Sequence, residues 1–125
     1  MHRWAERVAA LAADDPVVML SVVATKGSTP RDVGARMLVS SESIIGSIGG
    51  GRLEFDEATH ARGLLARHRE LGSWHRQVRH IVLGPDAGQC CGGVVEVLHE
   101  VFGAVEALAL GAGAVTGETV GARLR

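Results

Sequence analysis

The stretch VVMLSVVATKGSTPR, residues 17–31, sets the fold class. Its first eight residues are almost wholly apolar and rich in valine, the pattern of a central β-strand buried on both faces. At Thr25, Lys26, Gly27, Ser28, Thr29, Pro30 and Arg31 the run opens into a polar loop with turn residues and two cations.

Upstream, Trp4, Val8 and Leu11 recur at helical spacing, which predicts a short amphipathic helix over residues 3–13, stopped by Asp14, Asp15 and Pro16. Downstream, residues 36–39 and 44–48 read as two strands joined by the hairpin loop Ser40-Ser41-Glu42-Ser43. Gly49, Gly50 and Gly51 then lead into a helix predicted over residues 52–71, with Leu53, Ala61, Leu64 and Leu71 near one face. Gly63 weakens that helix by about 1 kcal/mol relative to alanine without abolishing it. Residues 78–83 form a further strand ending at Gly84-Pro85, and residues 94–101 a last one. Strands and helices do not alternate as βαβ units, so the expected class is α+β: a mixed β-sheet with flanking helices and glycine-rich loops at strand ends.

A chain of 125 residues supports one domain with a single core. A mean hydropathy of +0.18 fits a globular protein, and no apolar stretch approaches the ~20 residues of a membrane span. The first residues carry charge but no apolar signal core follows them, which predicts a cytoplasmic protein whose thiols stay reduced. With 13 Lys and Arg against 14 Asp and Glu, the net charge of −1 offers no field for nucleic acid. Aromatic residues at 3%, none of them tyrosine, argue against base-stacking platforms. An anionic ligand must therefore be held by local groups.

The domain is expected over residues 1–102, with residues 103–125 a Gly/Ala-rich tail. Gly111, Gly113 and Gly117 make a defective dinucleotide fingerprint, because Thr116 stands where the third glycine belongs. Eight residues remain after Gly117, too few for a crossover helix and a second strand.

The two cysteines of the chain, Cys90 and Cys91, are adjacent and flanked by Gly88, Gln89, Gly92 and Gly93. Neighbouring Cα atoms sit ~3.8 Å apart, short of the roughly 4.4–6.8 Å a disulfide prefers, so a bridge between them is strained. Structural zinc needs Cys-x-x-Cys spacing with further ligands, which the sequence lacks. What remains is a thiolate pair able to meet a thiophilic metal carried in by a ligand, or two small residues in a tight turn.

Three glycine-bearing loops thus follow predicted strands: residues 27–31, 46–51 and 83–93. Consecutive glycines before a helix offer backbone N–H groups and the positive end of the helix dipole, which makes Gly49, Gly50, Gly51 and Arg52 a candidate anion site. Lys26, Arg31, Arg36 and Arg52 are candidate phosphate contacts.

The segments GSTPRDVGARMLV (27–39), GSIGGGRLE (46–54) and LGPDAGQCCGG (83–93), in this order, resemble the N-terminal domain of the XdhC/CoxI family, the xanthine dehydrogenase accessory proteins. The resemblance implies a non-catalytic chaperone of the molybdenum cofactor, molybdopterin or its dinucleotide form. Such a protein holds the cofactor during sulfuration by a cysteine desulfurase and delivers it to a molybdenum hydroxylase apo-enzyme. Residue by residue, the family's Gly-Ser-x-Pro-Arg falls on Gly27, Ser28, Pro30 and Arg31, its glycine triplet on Gly49, Gly50 and Gly51, and its Cys-Cys-Gly-Gly on Cys90, Cys91, Gly92 and Gly93. The resemblance puts Cys90 and Cys91 toward the molybdenum through the cofactor.

Two departures stand out. Family members often carry cysteine after the glycine triplet, where this chain has Arg52, pointing here to a phosphate clamp. Longer members continue into a Rossmann-like domain that opens near Gly-Ala-Gly-His; here Ala114 replaces the histidine, so the tail reads as the remnant or start of such a domain. The apolar tail, without a domain of its own to bury against, predicts a homodimer. Two other classes remain open on the residues alone: a small nucleotide-dependent enzyme or redox module with a cysteine nucleophile, and a docking module for a partner dehydrogenase. His60, His68, His75, His80 and His99 have no spacing that marks a catalytic base and read as surface residues.

Overall fold

The computed structural model describes residues 2–13, 15–71, 75–84 and 92–103. Helix α1 (His2–Ala12) is followed by strands β1 (Val17–Lys26), β2 (Arg36–Val39) and β3 (Ile44–Gly46), helices α2 (Gly51–Ala66) and α3 (His68–Leu71), and strands β4 (Arg76–Val82) and β5 (Val94–Phe102). The five strands form one sheet in the order β3-β2-β1-β5-β4, antiparallel at every pairing. The expected α+β class holds, with helices on both faces of an antiparallel sheet.

The valine run is central because every residue of it from Val17 to Val22 is buried, as only a strand covered on both faces allows. Val18, Leu20 and Val22 point to α2, where they meet Met37, Val39, Val95, Val97, Val101 and the helix residues Leu53, Ala58, Ala61 and Leu64. Val17 and Met19 point the other way, to Leu38, Phe102 and the Ala5, Val8 and Ala12 side of α1. Fully buried side chains such as Leu20, Met37 and Phe102 each contribute about 1.5–3 kcal/mol of transfer free energy.

A bulge at Val23 shifts the register of β1 against β5 between Val22 and Ala24, leaving Val23 as the extra, exposed residue. Beyond it β1 continues only as far as Lys26, where the polar loop begins. The long predicted helix is interrupted at Arg67. Its N–H donates to the carbonyls of both Gly63 and Leu64, the tightened geometry of a helix end, and α3 restarts from the Arg67 carbonyl. No described helix is long and apolar enough to cross a membrane. The expected tail beyond Gly103 lies outside the described residues.

Candidate functional site

The antiparallel order brings the end of β1, the end of β3 and the β4/β5 connection to one end of the sheet, and two glycines report how tightly their loops meet there. A Cβ on Gly93 would collide with the Ser28 carbonyl oxygen and come within 2.8 Å of the Lys26 carbonyl oxygen. Both obstacles are backbone, so only glycine fits. A Cβ on Gly49, whose φ is +142°, would come within 2.7 Å of Pro30 Cγ. The loop of residues 27–31 is therefore the middle member, touching the glycine triplet through Pro30 and the last loop through Ser28. Gly27 lies against the Gly93 Cα on the same side.

The last loop is anchored at its ends. Leu83 N–H donates to the Gly93 carbonyl at 2.8 Å and Val82 pairs with Val94, so the chain leaves at Gly84 and returns at Gly92 beside Ser28. Gln89, Cys90 and Cys91 lie outside the described residues. Lys26, Ser28 and Arg31 are exposed on the middle loop. Arg36 is not brought to this cluster. Its neighbour Met37 faces α2, so the Arg36 side chain lies on the α1 face, and there its charge acts on Glu100.

The glycine triplet already holds an anion, the chain's own. Glu54 Oε2 accepts hydrogen bonds from Gly50 N–H at 2.7 Å, Ile48 N–H at 3.3 Å and Ser47 Oγ at 2.7 Å, while Gly49 N–H donates to Ser47 Oγ at 3.2 Å. Partial burial opposes the charge on Glu54, but the Ser47 hydroxyl and the Gly50, Ile48 and Gly49 amides together outweigh it, and its pKa lies below the ordinary carboxylate value. The amides expected from the sequence to meet a ligand's anion are here turned to the chain's own groups, Ile48 and Gly50 to a carboxylate from the first turns of α2 and Gly49 to the Ser47 hydroxyl. Arg52 is turned along the helix to Asp56, with Nε 3.0 Å from Oδ1. Both partners are about half exposed, so this i,i+4 pair is worth only a few tenths of a kcal/mol.

A second polar cluster, outside the motifs of the sequence, lies on the α2 face near the β4 edge. Glu57 is 2% exposed and is gripped by Arg79 through Nε at 2.8 Å and Nη2 at 3.3 Å. His99 is wholly buried, with Nε2 3.5 Å from Glu57 Oε1, and its ring meets that of His60 edge-on at 5.1 Å. His60 in turn bonds Gln77 Oε1 at 2.6 Å. Desolvation, reinforced by the neighbouring His60 and Arg79, lowers the pKa of His99 to about 4. The surface reading of His99 is thus corrected: strand alternation with Val95, Val97 and Val101 turns it into the core. The signal was present in the sequence, since Leu53, Glu57, Ala61 and Leu64 also share one helical stripe. Among the described residues no three His, Cys, Asp or Glu side chains are disposed to hold a metal ion.

Residues 10–79 match the model of the XdhC and CoxI family, a span that takes in the middle loop and the glycine triplet but ends before the cysteines. The uncharacterized protein YqeB of Escherichia coli (strain K12) is 38% identical over 103 residues, covering 80% of this chain and 18% of YqeB. The crystal structure of a xanthine dehydrogenase from Bacillus halodurans superposes with a TM-score of 0.70 at 22% identity, over 90% of this chain and 34% of the other. At that identity the likeness establishes a shared fold. The chain spans well under half the length of either relative.

Proposed function

The chain belongs to the XdhC and CoxI family, a family of accessory factors, and on that premise we propose that it holds the molybdenum cofactor for delivery to a xanthine dehydrogenase-type molybdenum hydroxylase. The observation that carries this reading is the packing of three loops into one cluster, with Pro30 on Gly49 and Ser28 on Gly93. The cofactor is an anionic pterin phosphate with a dithiolene-bound, thiophilic metal, and it asks for cations and N–H donors at one end and soft donors at the other.

The chain's residues meet those demands unequally. Lys26 and Arg31, exposed on the middle loop, suit a phosphate. The Ile48 and Gly50 amides are engaged by Glu54, so a phosphate reaches them only where that carboxylate swings out. The connection between Gly84 and Gly92 carries Gln89, Cys90 and Cys91 and is rooted beside Ser28, which suits the thiols to the metal end. The chain's part is to bind and orient: the loops hold the pterin phosphate, and the thiols hold the metal end while a cysteine desulfurase supplies sulfur. The proposed setting is the cytoplasm, with the hydroxylase and the desulfurase as partners and a homodimer as the working form.

The test is mass spectrometry of the full chain, purified without oxygen and sprayed from non-denaturing buffer. A bound pterin at the mass of molybdopterin or its dinucleotide supports the proposal. A bound mononucleotide, or a protein that binds no added molybdopterin at micromolar concentration, overturns it.

A further inference from the structure

Strand β4 presents a regular, unguarded edge. Val101 N–H donates to the His75 carbonyl and Leu83 N–H to the Gly93 carbonyl, at the two ends of a β4/β5 ladder whose register runs without a shift. In an antiparallel pair, residues alternate between turning both main-chain groups to the neighbour and turning both away. The odd-numbered residues of β4 therefore face β5, and Val78, His80 and Val82 turn N–H and C=O outward. Among the described residues no strand pairs with that side. Exposed edges are commonly blunted by proline, lysine or a bulge. Strand β4 has none of these, and its Arg79 is drawn inward to Glu57.

We propose that this edge pairs with the same edge of a second copy, antiparallel, with His80 facing His80 and Val78 facing Val82 across a two-fold axis. The edge is complementary to itself in that register. On the face that carries α1, the β4/β5 pairing sets Leu98 beside Val78, Glu96 beside His80 and Val94 beside Val82. Joining two copies extends these into continuous rows. Leu98 and Val78 meet Val82 and Val94 of the second copy, and Glu96 and His80 meet His80 and Glu96. Val78 and Val82, 55% and 66% exposed, cover each other's side chains. The two imidazoles stand between two carboxylates, each His80 Nδ1 being 3.4 Å from its own Glu96 Oε1. On the α2 face Arg79 meets Ile81. Sliding one copy by two residues in one direction would set Arg79 directly against Arg79, which is unfavourable, and in the other would leave only His80 and Val82 paired. The inference gives the homodimer of the proposed function a place in the fold, and it needs no cofactor.

The test uses the full chain without added cofactor. Sedimentation equilibrium at concentrations up to about 100 μM should show a reversible dimer, as expected of a small interface. Val78→Lys combined with Val82→Lys changes two exposed side chains and should raise the dissociation constant at least about tenfold, with circular dichroism unchanged. Crosslinking gives an independent readout. In a chain carrying Cys90→Ser and Cys91→Ser, His80→Cys places two thiols on Cα atoms about 5.5 Å apart, so a short bis-maleimide should join copy to copy. Glu42→Cys, on the hairpin loop toward the opposite edge of the sheet, should not be joined. A chain that is monomeric throughout the concentration range overturns the proposal. So does a dimer that ignores the lysine pair, or one that crosslinks through Glu42→Cys and not through His80→Cys. Failure of the cofactor reading is seen separately, as absence of bound pterin.

Discussion

Glu54 Oε2 lies 2.7 Å from the amide nitrogen of Gly50, so the glycine triplet is organised around a carboxylate four residues further along the same chain. Glu54→Gln keeps the shape but loses the charge. Hydrogen bonds to a charged acceptor are worth about 1.5–3 kcal/mol, and the substitution should cost a good part of that in urea unfolding. The folded-state pKa of Glu54 is depressed, so its contribution is present above the ordinary carboxylate range and is lost as pH falls through the lowered value. The wild-type and Glu54→Gln stabilities should therefore converge in acid. Equal stability of the two at neutral pH would count against this account of the loop.

Gly93 and Gly63 make a contrasting pair. Alanine at Gly63, inside α2, meets nothing within 4 Å and needs no unusual backbone, so it should cost nothing and add about 0.5–1 kcal/mol through helix propensity. Alanine at Gly93 meets the backbone of Ser28 and Lys26, which yields only by moving the middle loop. The expected cost is about 3 kcal/mol, with thermal unfolding as the measurement. Similar effects at the two positions would mean that the loops are less closely packed than described.

His99 makes stability pH-dependent. Its folded pKa, about 4, lies below the ordinary 6.5, so the unfolded chain takes up a proton that the folded chain refuses. Stability is fully present above 6.5 and falls as pH drops toward 4, by about 3 kcal/mol over that window. Glu100 works in the opposite sense. Burial raises its pKa against the pull of Arg76 and Arg36, so its protonation offsets part of the loss near the acid end of the window. His99→Leu should flatten the decline between pH 6.5 and 5, read from denaturant midpoints at several pH values. An unchanged slope would show that another group titrates.

The sheet was legible because its strands obey simple patterns: the unbroken valine run could only be central, and residues 36–39 and 44–48 read as a short hairpin, whose second strand ends at Gly46 in the structure. The bulge at Val23 was not, since an extra residue in one strand leaves no mark on hydrophobic periodicity. Likewise the three loops were visible as glycine clusters, but their contact depends on Gly93 passing under Ser28, a long-range event set by strand order. Glu54 was hidden in plain view. The motif containing it directs attention to the glycines and Arg52, although a carboxylate four residues after a glycine N-cap is well placed to reach back to it. His99 and Glu57 were obscured by composition, because a charged residue on a stripe reads as surface unless its partner Arg79, 22 residues away, is known.

Hydrogen exchange on anaerobic addition of molybdopterin tests the single-site claim most directly. The amides of residues 26–31, 48–54 and 84–93 should all gain protection together, at one ligand concentration. Cys90→Ala and Cys91→Ala should weaken that response while leaving circular dichroism unchanged. Protection confined to one of the three segments, or none in any of them at saturating cofactor, would contradict the account.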